Sequence, residues 1–429
     1  MSSADILSKL SFANFRYLFY AVSPNETTFA NAEDVPNYID LGTTWFGVLL
    51  LLEFLYVGKE KMPLNDTVTS VNSGMVLILM KVANRIMTIK VYTYAYEHLH
   101  LIALDKTAVS TWFLAFIFQD FFYYLGHRAV HEAGILWAFH QMHHSSEYYN
   151  LSTAIRKAWG QETAIFLFEL CQCVIIPPNL FIAHRYLNLL YQFWIHSEVV
   201  PKLGFLEYII NTPANHRVHH GRNPYCIDRN YGGTLMIWDI LFGTFALERD
   251  DEEVVYGTVE PVNTFEQFYL QIYEFVTLGY TKPRMRDEKG REYFPGFFQK
   301  VKAIFYPPGY FPGEGIPEIK NQIIKPYNPR MEISSKYIFV HWLIFVAFVL
   351  RFAKVLPIIS WTEALVELFY IHWALLVFGL YFDNSPKAVY LDIIRLVLLS
   401  AIPFMTGGHF FALANLISFY WPISLILKS

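Results

Sequence analysis

Eight of the chain's fifteen histidines fall into three short motifs: His127-x3-His131, His140-x2-His143-His144 and His216-x2-His219-His220. Spacings of three and four residues put the members of each motif on one face of a helix, so their imidazoles converge. Helices present ligands to a transition metal in this way. At this histidine frequency a given HxxHH arises by chance only about 0.02 times in such a chain, yet it occurs twice. Eight imidazoles exceed the four positions of one zinc ion, so two metals are the economical count. Imidazole suits zinc, iron, copper and nickel alike, and an all-nitrogen set without thiolate leaves iron or zinc as the main candidates. His131-Glu132 opens like a zinc-protease HExxH, but the fifth position is Ile135, which removes that reading.

The other histidines divide unequally. His98, His100, His184, His341, His372 and His409 are isolated and read as core or interface residues. His196 lies four residues after Gln192 at the end of an apolar block, and is expected to be a further ligand or a donor that supports one.

The elements that must position these motifs belong to a membrane protein. The 429 residues are 54% hydrophobic and 16% charged, against roughly a quarter charged in soluble domains. A single core of this size cannot hide the excess. It is concentrated at 43–57, 107–125, 163–199, 337–353, 361–381, 388–406 and 409–427, most of these blocks being near the ~17–25 residues that cross hydrocarbon. The block at 163–199 has 37 residues, about 55 Å as one helix, and must fold back. Pro177-Pro178-Asn179 supplies the break. A hairpin there returns the chain to the side it left, so all three histidine motifs meet at one membrane–water boundary. Gly74–Tyr96 is ambiguous, because Lys81 and Arg85 share one helical face: the block either crosses or lies along the interface. The expected fold is an all-α, polytopic membrane protein with a His-rich di-metal site at one membrane face and about nine transmembrane helices, nine if this block crosses.

Three regions are expected: an N-terminal interfacial segment at 1–42, a catalytic region of spans plus His-rich cap at 43–335, and a C-terminal four-helix transmembrane bundle at 336–429. The balance of 33 basic and 37 acidic side chains offers no basic patch for nucleic acid. Three cysteines, Cys171, Cys173 and Cys226, imply no disulfide framework. The N-terminal residues lack the pattern of a cleaved signal peptide, so entry into the membrane through an internal span is expected.

The three histidine motifs, followed by Asn230-Tyr231-Gly232-Gly233 and the Trp238–Phe245 run, resemble the fatty acid hydroxylase superfamily of membrane di-iron oxygenases. The narrower resemblance is to its ether-lipid monooxygenase branch. It is carried by Phe19-Tyr20, by Ser23-Pro24-Asn25-Glu26-Thr27-Thr28-Phe29, by Val35-Pro36-Asn37-Tyr38, and by the Asn211–Asp228 run. This resemblance implies an oxygenase of the endoplasmic reticulum membrane that uses two irons, O2 and tetrahydrobiopterin. It would hydroxylate the alkyl carbon beside the ether oxygen of alkylglycerols and lyso-ether phospholipids, giving a fatty aldehyde and a glycerol derivative. Carried over residue by residue, the metal ligands are His127, His131, His140, His143, His144, His216, His219 and His220, and Glu132 is the candidate for pterin contact. Glu132 is rotated about 100° from the ligand face of its helix, beside the metals rather than on them.

Other candidates support the site. Asp239 is expected to orient an imidazole through its ring N–H, with Asn215, Asn223 and Tyr231 as weaker candidates of the same kind. Phe121-Phe122-Tyr123-Tyr124 and Tyr148-Tyr149 read either as the lining for an alkyl tail or as an interfacial aromatic belt. Eighteen of the Lys and Arg residues lie in 127–160 and 200–335, which makes the site face cytosolic. If Gly74–Tyr96 crosses, Asn25 faces the lumenal glycosylation machinery; if it does not, Asn65-Asp66-Thr67 is the lumenal acceptor. The rival readings are a sterol or sphingolipid hydroxylase of the same superfamily and, more distantly, a zinc-binding transporter or sensor.

Overall fold

The computed structural model describes residues 8–314, 325–331 and 334–406, and its named elements are helices, with isolated β-bridges only. Two ends of a helical bundle organise it. At the first end, the carbonyls of Phe29 and Ala30 accept from Asn179 and Lys106, and the Leu101 N–H donates to the Val174 carbonyl. At the second end, Lys61 pairs with Glu198 at 3.0 Å and Asp66 pairs with Arg156 at 2.7 Å.

Helices α1 (Tyr38–Lys61), α2 (Leu64–Leu99) and α3 (Val109–Glu132) run between these ends. Helix α2 has 36 residues, about 54 Å, and traverses the bundle in one piece. Its first turn lies at the second end, where Asn65 is only 1% exposed and donates to the Asn328 side chain at 2.9 Å. Asn65 is thus held in a buried helical turn rather than in an open loop. Asn25, by contrast, is exposed and belongs to the N-terminal segment associated with the first end.

The apolar block at 163–199 turns where its prolines require it. Helix α4 (Gln161–Glu169) continues as a 3-10 segment to Val174, and α5 (Pro178–Trp194) starts with Pro178 at its first position, where the missing N–H costs nothing. Nearly every side chain of α5 is buried, and it packs with α1, α2 and α3 around Ile182, Leu187 and Leu190. Full burial of such side chains stabilises by roughly 1.5–3 kcal/mol each, so α5 is the core helix that fixes the site's floor.

Helices α6 (Pro213–His220), α7 (Ile237–Phe242), α8 (Gln267–Val276) and α9 (Gly296–Phe305) form the cap at the second end. Helices α10 (Ser335–Val355), α11 (Trp361–Phe382) and α12 (Lys387–Thr406) follow. They pack onto Val68, Met75 and Val76 of α2 and onto Phe265 of the cap. Asp392 accepts from Tyr337, Tyr381 and Arg395, tying the three together. Among the described residues, α1, α10 and α11 are long and apolar enough to cross a membrane. The block at 409–427 lies outside the described residues.

Candidate metal centre

The last turns of α3 carry His127 and His131 on one face. The chain then turns through Gly134–Trp137 into a single helical turn, Gln141–His144, which with its N-cap His140 carries the second motif. Helix α6 carries the third; the Thr212 hydroxyl caps its N-terminus by accepting from the Asn215 N–H at 3.3 Å, and Pro213 opens it. His196 follows directly on α5.

These nine imidazoles assemble into two buried groups. One contains His127, His131, His140, His144 and His219; the other contains His143, His196, His216 and His220. Within each group the candidate ligand atoms lie within 4.8 Å of one another. The groups adjoin, with the His144 and His220 rings stacked at 4.2 Å between centroids. The three sequence motifs are thus interleaved rather than each making its own site. The other described histidines stand apart; His184, for example, bonds the Tyr20 hydroxyl at 2.7 Å.

Ring tautomers follow from the partners. The Nδ1–H groups of His127, His143, His196 and His219 donate to the backbone carbonyls of Tyr231, Arg156, Gln192 and Arg229 at 2.9, 3.0, 2.6 and 2.9 Å. A carbonyl only accepts, so each Nδ1 holds the proton and each Nε2 presents a lone pair inward. Burial first, then the neighbouring imidazoles, hold His143, His144, His219 and His220 well below the usual histidine range, so they are neutral at pH 7.

The ring nitrogens of the two groups sit unusually close together. His196 Nε2 lies 3.2, 3.1 and 3.1 Å from the Nε2 atoms of His143, His220 and His216, and His140 Nε2 lies 3.3 and 3.2 Å from those of His127 and His144. His143 and His196 both hold their proton on Nδ1, so their Nε2 lone pairs face each other at 3.2 Å and repel unless a cation lies between them. Ligands about 2.1 Å from one metal are about 3.0–3.4 Å apart, which matches. The Nε2 atoms of His131 and His219 are buried and have no hydrogen-bond partner in the structure. The donor set therefore fits two transition-metal ions.

The loop after α6 supports this arrangement. Asp239, expected to orient an imidazole, has other partners: the N–H groups of Tyr231 and Gly232 at 2.9 and 2.8 Å and the Thr244 hydroxyl at 2.7 Å. It acts one link back, holding the peptide whose Tyr231 carbonyl accepts the His127 Nδ1–H. Asn215 and Asn223 likewise bond backbone and a carboxylate, not imidazoles. Asp120 of α3, which the sequence reading passed over, accepts from the Thr234 and Leu235 N–H groups at 2.6 and 3.1 Å. Gly232 and Gly233 are required by this close approach: a Cβ on Gly233 would meet Asn188 at 2.7 Å and Tyr123 at 2.9 Å.

Glu132 stands at the solvent-facing rim. Its side chain is 45% exposed and bonds Arg128 at 2.7 Å. Nearby, Asp228 lies 3.9 Å from His131 Nδ1, and Trp137 packs against His131 and His144. Tyr149 is buried and stacks on His196 at 5.7 Å, so it is an inner wall rather than part of a belt; Tyr123 is also buried, against His127.

The comparisons with known proteins agree with this geometry. The fatty acid hydroxylase family profile matches residues 112–244, a span that contains all nine of these histidines. An alkylglycerol monooxygenase of Caenorhabditis elegans is 39% identical over 411 residues, covering 91% of this chain and 81% of its own. The Xenopus tropicalis and Homo sapiens proteins of that name are 42% and 39% identical, each covering 89% of this chain and 86% of its own. No solved structure is significantly similar to the chain.

Proposed function

Because the chain belongs to the alkylglycerol monooxygenase family of the fatty acid hydroxylases, we propose that it cleaves the O-alkyl bond of ether lipids using two irons, O2 and tetrahydrobiopterin. One oxygen atom enters the alkyl carbon beside the ether oxygen. The other leaves as water, with two electrons and two protons from the reduced pteridine. The resulting hemiacetal collapses to a fatty aldehyde and a glycerol derivative. Alkylglycerols and lyso-ether phospholipids are the substrates.

The observation that carries this reading is the convergence of nine buried imidazoles in two adjoining groups. The eight motif histidines and His196 would hold the irons, which when bound supply activation of dioxygen. The protein's own residues fix the rings through backbone carbonyls and exclude water with Trp137 and Tyr149. Glu132, on the aqueous rim, is within reach of a water-soluble pteridine, while a lipid would approach from the bundle. Membranes incubated with an alkylglycerol and O2 should release fatty aldehyde only when tetrahydrobiopterin is added. Aldehyde formed equally without the pteridine, or zinc as the only bound metal, would contradict the reading.

We place the chain in the endoplasmic reticulum membrane with about nine spans, the histidine end cytosolic. The catalytic region is taken as 43–335, flanked by the segment 1–42 and the C-terminal helices of 336–429. On this orientation Asn25 is lumenal, and Asn25→Gln should increase gel mobility by one glycan whereas Asn65→Gln should not. Unchanged mobility of Asn25→Gln would argue against this orientation.

A further inference from the structure

Helix α9 turns its apolar residues away from the protein. Phe297, Phe298, Val301 and Phe305 are exposed, the first two by 75% and 80%, while Ala303 is the side chain it buries. At 100° per residue the four exposed residues fill one arc of about 100°, and Ala303 lies opposite the centre of that arc. Lys302 stands about 40° beyond one edge of the arc and Lys300 about 60° beyond the other. A contiguous stripe of three phenylalanines and a valine, rimmed by charge, marks an interaction surface.

The fold places this stripe beside the membrane. Helix α11 is long and apolar enough to cross, and Asp383, which closes it, accepts from the Phe265 N–H at 2.9 Å. Helix α8 follows and packs on α2, where its Gln267 amide donates to the Thr69 carbonyl at 2.7 Å. Beyond α8, Lys282 donates to the carbonyls of Pro307 and Pro308 at 2.7 and 3.0 Å, just past the end of α9. The cap is thus fastened to the ends of the membrane helices, and α9 with it. From Arg284 to Lys302 the chain has six basic and three acidic side chains, and Lys300 joins the preceding turn through Glu292 at 3.3 Å. An apolar stripe edged by lysines, next to a basic turn, complements a lipid surface that is apolar within and negatively charged at its face.

We propose that α9 lies in the plane of the membrane, with Phe297, Phe298, Val301 and Phe305 in the acyl boundary and Lys300 and Lys302 reaching back to anionic head groups. The occupant of the stripe is the anionic leaflet of the bilayer that the chain itself spans. The helix also has a line to the metal centre. The Gly134 N–H donates to the Tyr306 carbonyl at 3.2 Å, and a Cβ on Gly134 would meet the Tyr306 and Ile304 carbonyl oxygens at 2.6 and 2.7 Å. The end of α9 and the Gly134–Trp137 segment are therefore pressed together, and Trp137 packs against His131 and His144. Seating α9 in the interface thereby fixes the height of the histidine groups relative to the lipid head groups.

The test uses the full-length protein in nanodiscs of phosphatidylcholine, with and without phosphatidylserine. Phe298→Cys, Gln299→Cys and Val301→Cys are made singly with the exposed Cys171 replaced by Ser, and each is labelled with an environment-sensitive fluorophore; Cys173 and Cys226 are buried. Labels at 298 and 301 should be quenched by a doxyl-bearing lipid, and quenched by aqueous iodide several times more weakly than the label at 299, which faces away from the stripe. Two stripe positions keep the result readable if one substitution is not tolerated. Phosphatidylserine should strengthen lipid quenching at 301, and Lys289→Gln with Lys302→Gln, or high salt, should abolish that gain. Iodide quenching at 298 and 301 equal to that at 299 would overturn the proposal. So would a label at 301 that neither quencher reaches, which would put the stripe under a second copy or another part of the chain. Lipid quenching that ignores phosphatidylserine would overturn the assignment to an anionic surface.

Discussion

His196→Ala is expected to remove about half of the bound iron and to lower aldehyde formation by about a hundred- to a thousandfold. The second histidine group has four members, and His196 is its hub, with Nε2 at 3.1–3.2 Å from the other three. Four-ligand sites bind a metal with apparent free energies of about 10–16 kcal/mol. A quarter of that, about 2.5–4 kcal/mol, corresponds to roughly a hundredfold to just under a thousandfold in affinity. The first group keeps all five of its imidazoles and should keep its ion, which is why the loss is half rather than complete. His184→Ala is the matched control: it deletes another fully buried histidine, but one bonded to Tyr20 rather than facing the groups. It should cost stability without changing the iron-to-protein ratio. His143→Ala should behave as His196→Ala does, since its Nε2 faces the same point. Full iron content and turnover in His196→Ala would mean that this imidazole only supports the site and that four ligands are not needed there.

The motif histidines are legible in the sequence because helical spacing dictates which side chains share a face. The prolines at 177 and 178 are legible for a similar reason, since they cannot continue a helix, and the hairpin they force is what brings the third motif to the first two. His196 is harder to see. It stands alone in the chain, and only its place at the end of the hairpin separates it from His184, which is equally buried. The orienting partners of the rings are not readable at all. All four are backbone carbonyls, which every residue carries, so no side-chain type marks them. Asp239 illustrates the resulting error: a carboxylate near a histidine loop suggests a direct imidazole contact, yet it works through the backbone of Tyr231. Asp66 was hidden by a different signal, the Asn65-Asp66-Thr67 acceptor pattern, and its partner Arg156 is far away in sequence.

Asp66→Ala is expected to destabilise the protein by about 3–5 kcal/mol, because it leaves a buried guanidinium without its counter-charge. Arg156 and Asp66 are 1% and 2% exposed and 2.7 Å apart. The second carboxylate oxygen accepts from the Ser146 hydroxyl at 2.7 Å, and Arg156 Nε donates to the Ser145 hydroxyl at 3.1 Å. This cluster clamps the residues just after the second histidine motif to the first turn of α2. Against a total stability of about 5–15 kcal/mol, the loss should show as a large drop in the unfolding midpoint. It should also reach the metal, since the Arg156 carbonyl is the acceptor that fixes the His143 ring. Asp66→Asn, which keeps an acceptor and the shape, should be milder on both readouts. The informative variant is Asp66→Ala with Arg156→Met, which removes both charges and should recover much of the stability, because replacing a buried ion pair by apolar groups is often nearly neutral. Iron binding should recover with it, since the carbonyl of residue 156 remains in place once the segment is packed again. Recovered stability with iron still lost would show instead that the charges themselves, not the packing they enforce, set the position of that carbonyl.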